Sequence, residues 1–301
     1  MEVNHVIVDD AVINHLIEDI RDKPTLRNLS TEFCTAELRK YLSNRMSTLT
    51  RLSNPKSKEY KLTVKYVRQK SHDIYEIFQT KEVSRRAELL LGIEHFTPEE
   101  HIPILKTHLS TKERIPFYPQ LYELLFAVTG YPKSILDIGC GFNPLSLPFM
   151  HLHIDGLYYI ASDLGGEDLF LVQKYFDRIG LLEGKTFACN LITDYEKLKE
   201  HPADICFAFK LFDVLETQKE NITYKVLSSL RCTYLIASFP LHNIKSEAMK
   251  RKKISYFERM VGKLGFVYKT IFFENELFYI VHKQESPLLK GKKAKDSKTL
   301  F

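Results

Sequence analysis

The sequence predicts an α/β protein in which a mostly parallel sheet follows a helical region. From about residue 106, short apolar segments alternate with amphipathic ones, as parallel strands with crossover helices require. Near the end, two apolar segments are so close together that they must pair as an antiparallel hairpin. Before residue 106, apolar residues recur at helical spacing. These three observations define the fold class.

The individual elements follow from the same pattern. Five parallel strands are predicted at Ser134–Ile138, Tyr158–Ser162, Thr186–Cys189, Ile205–Phe209 and Thr233–Ser238. Helices are predicted at Asn143–His153, Glu167–Ile179, Tyr195–Glu200, Val214–Leu230 and Lys245–Leu264. The hairpin consists of Phe266–Phe273 and Leu277–His282. Together these segments predict a seven-stranded, mostly parallel sheet.

The N-terminal region contains amphipathic helices. Apolar residues at helical spacing are Val12, Ile13, Leu16, Ile17 and Ile20, then Phe33, Leu38, Tyr41 and Leu42, then Val64, Val67, Ile74 and Phe78. Thr97 is placed to cap a further helix, with Pro98 in its first turn. We therefore expect an N-terminal helical domain over residues 1–105, a main domain over 106–285 and a disordered, lysine-rich tail over 286–301.

Composition excludes several classes of protein. With 44% hydrophobic and 27% charged residues, the chain has the composition of a soluble globular protein. None of its five cysteines forms a CxxC pair, so we expect no structural metal, no disulfide framework and a reducing, cytoplasmic location. No apolar run approaches the roughly 20 residues of a membrane span. The N-terminus also lacks the basic and apolar regions of a signal peptide.

The turn after the first parallel strand indicates a cofactor site. Strand Ser134–Ile138 contains Asp137 and runs into Gly139 and Gly141, where glycines allow a tight bend and a close approach to a ligand. A dinucleotide fingerprint would need a third glycine where Pro144 stands, which disfavours NAD. An acid before the first glycine is typical of S-adenosylmethionine sites, where it orders the turn or meets the methionine end of the cofactor.

Two later strand ends fit the same cofactor. Asp163 ends the second strand, where a carboxylate can accept hydrogen bonds from both ribose hydroxyls. Asn190 and Leu191 end the third strand, where adenine usually lies. Each feature alone is weak, because glycine turns are often only turns and a strand-end Asp is more often a helix cap. Their combination predicts a Rossmann-like class I methyltransferase that uses S-adenosylmethionine.

Several sequence blocks resemble the aminoglycoside-resistance 16S ribosomal RNA methyltransferases, which modify guanine N7 in the decoding site. The blocks are His108–Arg114 (HLSTKER), Leu136–Leu145 (LDIGCGFNPL), Phe209–Leu211, Ser238–Pro240 and Glu276–Ile280 (ELFYI). The resemblance covers roughly residues 65 to 283. The chain departs from the family in three respects: Lys245–Lys253 replaces a glycine-rich loop, Phe209–Asp213 lacks a proline, and the N-terminal region is longer than the resemblance implies.

The resemblance implies roles for particular residues. Arg114 is expected to pair with the methionine carboxylate, which suits a planar guanidinium. Other implied cofactor contacts are Phe78, His108, Leu109, Ser110, Gly139, Asp163, Asn190, Leu191, Phe209 and Gln218. The implied function is methylation of guanine N7 in 16S ribosomal RNA of the small subunit, which confers aminoglycoside resistance.

A run of basic residues predicts contact with RNA. The basic residues between positions 39 and 70 are Arg39, Lys40, Arg45, Arg51, Lys56, Lys58, Lys61, Lys65, Arg68 and Lys70. Glu59 is the only acid between them, and Tyr41, Tyr60 and Tyr66 are interleaved. Cations neutralise phosphates and aromatic rings stack on bases, whereas a solvated helical face usually mixes both signs of charge. Lys250–Lys253 and the lysines of the tail are further candidates.

The strand ends also bear on the methyl acceptor. The fourth strand ends in Phe209-Lys-Leu-Phe212, without the [DN]PPY-type motif usual for exocyclic amines, and Cys206 within it is better explained as a buried apolar residue than as a nucleophile. Guanine N7 has no proton to remove, so positioning supplies most of the catalysis. Asn143 and Lys210 are our candidates for orienting the base, although a helix cap and a surface lysine explain them equally well. The alternatives are methylation of another RNA site and a catalytically inert RNA-binding factor.

Overall fold

A helical region precedes the central sheet in the computed structural model, which describes residues 1–27, 29–164, 166–241 and 255–283. Its elements are strands β1 Glu2–Val3 and β2 Val6–Ile7, and helices α1 Asp10–Arg21, α2 Thr31–Ser43, α3 Lys58–Ile74, α4 Arg86–Leu91, α5 Pro98–Leu105, α6 Leu109–Arg114 and α7 Tyr118–Thr129. Short 3-10 helices connect them at Pro24–Leu26, Met46–Arg51, Glu76–Phe78, Val83–Arg85 and Ile115–Phe117. The predicted helical N-terminal region is thus confirmed.

Helices α1 to α3 begin at side-chain caps and share one apolar core. The side chains of Asp9, Ser30 and Ser57 each accept a hydrogen bond from a backbone amide in the first turn of their helix. Four of the five apolar residues predicted on α1 are buried, Leu16 and Ile20 completely, and Val12 is half-buried. The start of α5 at Pro98 is also as predicted, but the Thr97 side chain makes no capping hydrogen bond.

The N-terminal region contributes to two cores rather than one. A cluster running from Val3 to Tyr75 holds α1, α2 and α3 together. A second cluster, which includes Leu90, Ile104 and Leu121, packs α4, α5 and α7 on one face of the sheet. The cores therefore change between residues 75 and 90, and a domain boundary at residue 105 stays a prediction.

The sheet has the predicted seven strands. They are β3 Ser134–Ile138, β4 Tyr158–Asp163, β5 Gly184–Ala188, β6 Ala203–Phe209, β7 Cys232–Pro240, β8 Val267–Phe272 and β9 Glu276–His282. Their order is β5-β4-β3-β6-β7-β9-β8, and β9 runs antiparallel to both of its neighbours. The chain order reverses between β3 and β6, where ligands bind at the carboxyl ends of strands in open α/β sheets. The predicted α/β fold is confirmed.

The connections between strands follow the prediction only in part. Helices α8 Gly166–Arg178, α9 Phe212–Gln218, α10 Ile222–Ser229 and α11 Ser255–Lys263 flank the sheet, with 3-10 helices at Asn143–Met150 and Tyr195–Glu200. The segment after β3 is 3-10 because Pro144 and Pro148 lack amide donors. The single helix predicted over 214–230 breaks at Asn221, which has a φ of 61°. The predicted helix over 245–264 is described only from Ser255.

The described helices also bear on membrane insertion. None of those in residues 1–27, 29–164, 166–241 and 255–283 combines the length and the apolar character of a membrane span.

Candidate cofactor site and nucleic-acid face

A pocket opens at the carboxyl ends of β3, β4 and β6, where the predicted site residues converge. Those that line it are Phe78, His108, Ser110, Arg114, Gly139, Gly141, Asp163, Asn190, Leu191, Phe209, Lys210 and Gln218. Leu109, Asp137 and Asn143 were also predicted but lie outside the lining. The structure therefore brings segments from α3 to α9 together at one site.

The glycine turn after β3 has a conformation that disfavours larger residues. Gly139 and Gly141 have φ values of 61° and 49°, in the left-handed region. A Cβ on Gly141 would lie 2.8 Å from Nε2 of His108, and one on Gly139 would lie 2.7 Å from Leu211. The turn is held by Asp163, whose Oδ2 accepts a hydrogen bond of 2.7 Å from the Gly141 amide. Asp163 thus stabilises the turn and also lines the pocket.

Asp137 and Asn143 form a buried pair behind the turn. The Asp137 carboxylate accepts hydrogen bonds from Nδ2 of Asn143 at 2.9 Å and from the Tyr159 hydroxyl at 2.8 Å. Burial raises the pKa of Asp137 to about 7, although these two hydrogen bonds favour the charged form. The Asn143 amide faces Asp137 and only 2% of the residue is exposed, and its predicted role in orienting a bound base stays a prediction. Asp137 thus lies behind the turn beside Asn143, and both of its predicted roles stay predictions.

Arg114 makes a buried ion pair at the other side of the pocket. Its Nε and Nη2 donate to the Glu276 carboxylate at 2.7 to 3.0 Å, and its guanidinium lies 4.6 Å from the centroid of the Phe209 ring. Both charged groups are almost completely buried. Glu276 also faces the ammonium of Lys210, whose Nζ lies 3.5 Å from its Oε2 and also contacts Glu113. The site therefore balances two cations with two carboxylates.

Ser238 connects this ion cluster to the sheet. Its hydroxyl donates to Glu276 and accepts a hydrogen bond of 2.9 Å from the Lys210 amide. Lys210 has a φ of 53°, so the chain leaves β6 through a left-handed residue held in place by β7. Four of the resembling blocks, those containing Arg114, Lys210, Ser238 and Glu276, thus meet in one hydrogen-bonded cluster.

Two buried polar atoms at the pocket have no hydrogen-bond partner among the described residues. They are Nδ1 of His108 and Oε1 of Gln79, on neighbouring residues of a short antiparallel bridge. The His108 ring stacks on Phe78 with a centroid distance of 5.9 Å. Burial, with the nearby charges of Arg86, Arg114 and Lys210, holds the pKa of His108 well below its usual value. Because buried polar groups are normally paired, these atoms indicate a ligand.

The donors and acceptors present fit S-adenosylmethionine. Asp163 is at the strand end suited to ribose hydroxyls, Arg114 provides a cation for a carboxylate, and Phe78 with Leu191 provides apolar surface for an adenine. Within residues 1–27, 29–164, 166–241 and 255–283, no three His, Cys, Asp or Glu side chains are grouped as a metal site would require.

Sequence reasoning missed several pocket residues. Ile74, Tyr75 and Gln79 come from the end of α3 and the turn after it, and Asp168 comes from α8. Tyr75 and Gln79 flank the predicted Phe78, but only the position of α3 against the sheet shows that they line the pocket. Asp168 follows Asp163 by five positions, in the first turn of the helix after β4, and an acid so placed is a signal in the sequence.

The basic run lies on α2, α3 and the connection between them. Nearly all of its cations are exposed, whereas Arg68 donates to backbone carbonyls at the end of α1. The expectation that the interleaved tyrosines stack on bases is corrected for Tyr41 and Tyr60, which are 7% and 2% exposed in the core of the N-terminal helices. Tyr66 packs against Tyr41. Residues 250–253 and the tail lysines lie outside the described residues.

Comparison with known proteins gives concordant matches. The family model of the ribosomal RNA methyltransferase FmrO matches residues 100–280, more than half of the chain. A 16S rRNA (guanine(1405)-N(7))-methyltransferase of Micromonospora rosea is 28% identical over 181 residues, which are 60% of this chain and 64% of that protein. The protein of the same name from Proteus mirabilis is 29% identical over 186 residues, with the same coverage. The chain thus spans slightly less than two thirds of these relatives.

Solved structures share the fold. The 16S rRNA methyltransferase RmtF in complex with S-adenosyl-L-homocysteine superposes with a TM-score of 0.70 at 23% identity, covering 92% of this chain and all of that one. The 16S rRNA methylase ArmA gives a TM-score of 0.50 at 26% identity, covering 65% of this chain and 97% of that one.

Proposed function

Given that this chain belongs to the FmrO family of ribosomal RNA methyltransferases, we propose that it transfers a methyl group from S-adenosylmethionine to guanine N7 of 16S ribosomal RNA. One observation carries the proposal. Arg114, Lys210, Ser238 and Glu276 belong to four sequence blocks that resemble this family, and their side chains form a single buried cluster at the pocket. Distant blocks that meet at one site have a shared task there.

We assign cofactor contacts to the residues that line the pocket. Asp163 would accept hydrogen bonds from the ribose, and Arg114 would hold the methionine carboxylate while Glu276 fixes its guanidinium. Asn190 and Leu191 would lie at the adenine. Phe78, His108, Ser110, Phe209 and Gln218 complete the pocket around these contacts. Leu109 begins α6 outside the lining, so it would act by placing Ser110.

The chemistry requires positioning rather than proton removal. When bound, the cofactor supplies an electrophilic methyl group on a sulfonium. Guanine N7 is a free lone pair, so holding it in line is enough and a general base is not needed. Lys210 lines the pocket and would orient the base, whereas Asn143 would act indirectly, by holding Asp137 behind the turn.

The substrate side follows from the exposed basic run. Its cations on α2 and α3 would neutralise phosphates of the RNA in the small ribosomal subunit, and we infer a cytoplasmic location from that role. N7 faces the deep, narrow major groove of an RNA helix, so the target guanosine would have to be unstacked or flipped, at a cost of a few kcal/mol. Methylation in the decoding site would confer aminoglycoside resistance.

Expression in an aminoglycoside-susceptible bacterium tests the proposal. We expect drug resistance and a 7-methylguanosine in the decoding site of the 16S RNA, mapped by chemical cleavage at that base. An Asp163→Ala variant is the control for dependence on the cofactor. Methylation elsewhere in the RNA would favour the first alternative. A protein that binds RNA but not the cofactor in titration calorimetry would be the inert factor.

A further inference from the structure

The N-terminal helical region supplies one wall of the cofactor pocket. Ile74 and Tyr75 at the end of α3, with Phe78 and Gln79 in the turn that follows, face the glycine turn and Asp163 across the cavity. The same helix exposes Lys61 and Lys65 about three turns earlier. A single helix thus carries part of the basic face and also ends in the pocket wall.

A buried triad joins this wall to the sheet. The Tyr75 hydroxyl donates to Oδ2 of Asp168 on α8, and Nη1 of Arg86 on α4 donates to the other carboxylate oxygen at 2.7 Å. Tyr75, Arg86 and Asp168 are 6%, 1% and 3% exposed. Because all three residues are buried, each hydrogen bond is strengthened by the low local dielectric, and breaking one leaves a buried group unpaired.

Arg86 also connects the triad to two segments that border the pocket. Its Nε and Nη2 donate to Oγ1 and the carbonyl of Thr107, both at 3.0 Å, immediately before His108. Its guanidinium also lies 4.2 Å from the centroid of the Phe142 ring, immediately after Gly141. The end of α3, helix α8, the His108 segment and the glycine turn are therefore held through one ion pair.

We propose that Tyr75, Arg86 and Asp168 are positioning residues that couple RNA docking on α3 to cofactor binding in the pocket. A displacement of α3 by RNA moves the wall at Tyr75, and the triad transmits it to α8 and to the glycine turn. Such coupling is reciprocal, so the cofactor must strengthen RNA binding by the same factor as RNA strengthens cofactor binding. The inference rests on the proposed function, because it requires both ligands.

Tyr75→Phe removes the hydroxyl and keeps the ring that packs in the core. We expect the affinity of the full-length protein for S-adenosyl-L-homocysteine, measured by titration calorimetry, to fall about fivefold or more. Tyr175→Phe is a matched control on α8, since that hydroxyl is also fully buried but has no hydrogen-bond partner among the described residues. It should leave the affinity unchanged. Equal affinities of wild type and Tyr75→Phe would overturn the proposal.

A second measurement separates coupling from simple loss of structure. The affinity for small ribosomal subunits is measured with and without saturating S-adenosyl-L-homocysteine. We expect a ratio of about fivefold or more in the wild type, and a ratio near one in Tyr75→Phe with the cofactor-free affinity unchanged. A ratio near one in the wild type, or an undiminished ratio in the variant, would overturn the coupling. A wild type that binds no S-adenosyl-L-homocysteine would instead overturn the proposed function.

Discussion

Two lysines of α3 and two arginines at or beside the pocket carry the same charge in opposite settings. Lys61 and Lys65 are exposed, and the described residues place no carboxylate in an ion pair with either. Arg86 and Arg114 are each 1% exposed, and each faces a carboxylate at 2.7 Å. A solvated cation can exchange its counterions for phosphates, whereas a buried one must be paired where it stands. We therefore expect the exposed cations to bind phosphates and the buried cations to hold the side chains around the pocket in place.

Breaking a buried pair should have the largest effect. Glu276→Gln leaves Arg114 buried without its counter-charge, and we expect the free energy of unfolding in urea to fall by about 3–5 kcal/mol. Methyl transfer should be lost with it. The control is Glu59→Gln, since Arg51 pairs with Glu59 at a similar distance of 2.8 Å but on the surface. Its stability should hardly change. Comparable losses in the two variants would remove the distinction drawn between the two settings.

Reversing exposed charges should have the second largest effect, and it should lower the affinity for RNA without changing the affinity for the cofactor. Lys61→Glu with Lys65→Glu is expected to weaken binding to small ribosomal subunits on the order of tenfold or more. The logarithmic salt dependence should flatten by about 0.7–0.9 for each phosphate that the protein no longer neutralises. Cofactor affinity should stay unchanged. Lys133→Glu with Lys185→Glu is the control pair, because both lysines are exposed at the amino ends of sheet strands and lie outside the pocket lining. Equal weakening by both pairs would mean a nonspecific charge effect.

Removing a carboxylate at the pocket should lower cofactor affinity more than removing one at the amino ends of the strands. Asp163→Ala is expected to weaken S-adenosylmethionine binding by about tenfold or more, because charged hydrogen bonds of roughly 1.5–3 kcal/mol are removed. Asp204 is the control, because it also accepts from two backbone amides, those of Lys133 and Ser134, but at the amino edge of the sheet. If Asp204→Ala weakened binding as much, the effect would be one of general stability.

The smallest expected effect is that of pH on methyl transfer. At saturating cofactor and excess enzyme, the rate should change by less than about threefold between about pH 6 and 8.5, because N7 has no proton to lose. His108 stays neutral in this range, since burial lowers its pKa well below the usual value. Asp137 has a pKa of about 7 and so loses a proton within this pH range, but it lies behind the turn. Any remaining change of the rate with pH should therefore vanish in Asp137→Asn. A tenfold rise per pH unit would mean that a proton is removed and that N7 is the wrong atom.

The sequence by itself determined the succession of strands along the chain and the strand ends at which the predicted site residues lie. Strand Ser134–Ile138 and the hairpin were predicted nearly to the residue. The apolar pattern and the turn residues that define them are local features of the sequence, a few residues long. The glycine turn was equally evident, since a left-handed φ restricts the residue type at that position alone. Where local rules competed, as at Asn221 and in the proline-containing segment after β3, the helix predictions were wrong in extent or type.

Only the tertiary structure decided which side chain meets which. Arg114 and Glu276 are 162 residues apart, and nothing in either segment shows that they pair. Tyr60 looks like a stacking residue within a basic run, yet α3 turns it into the core. Asn143 follows the glycine turn but faces Asp137, and Tyr75 reaches Asp168 across 93 positions. The partner of a side chain and the direction in which it points depend on how the helices and strands pack, because the energies of burial and ion pairing arise between segments rather than within them.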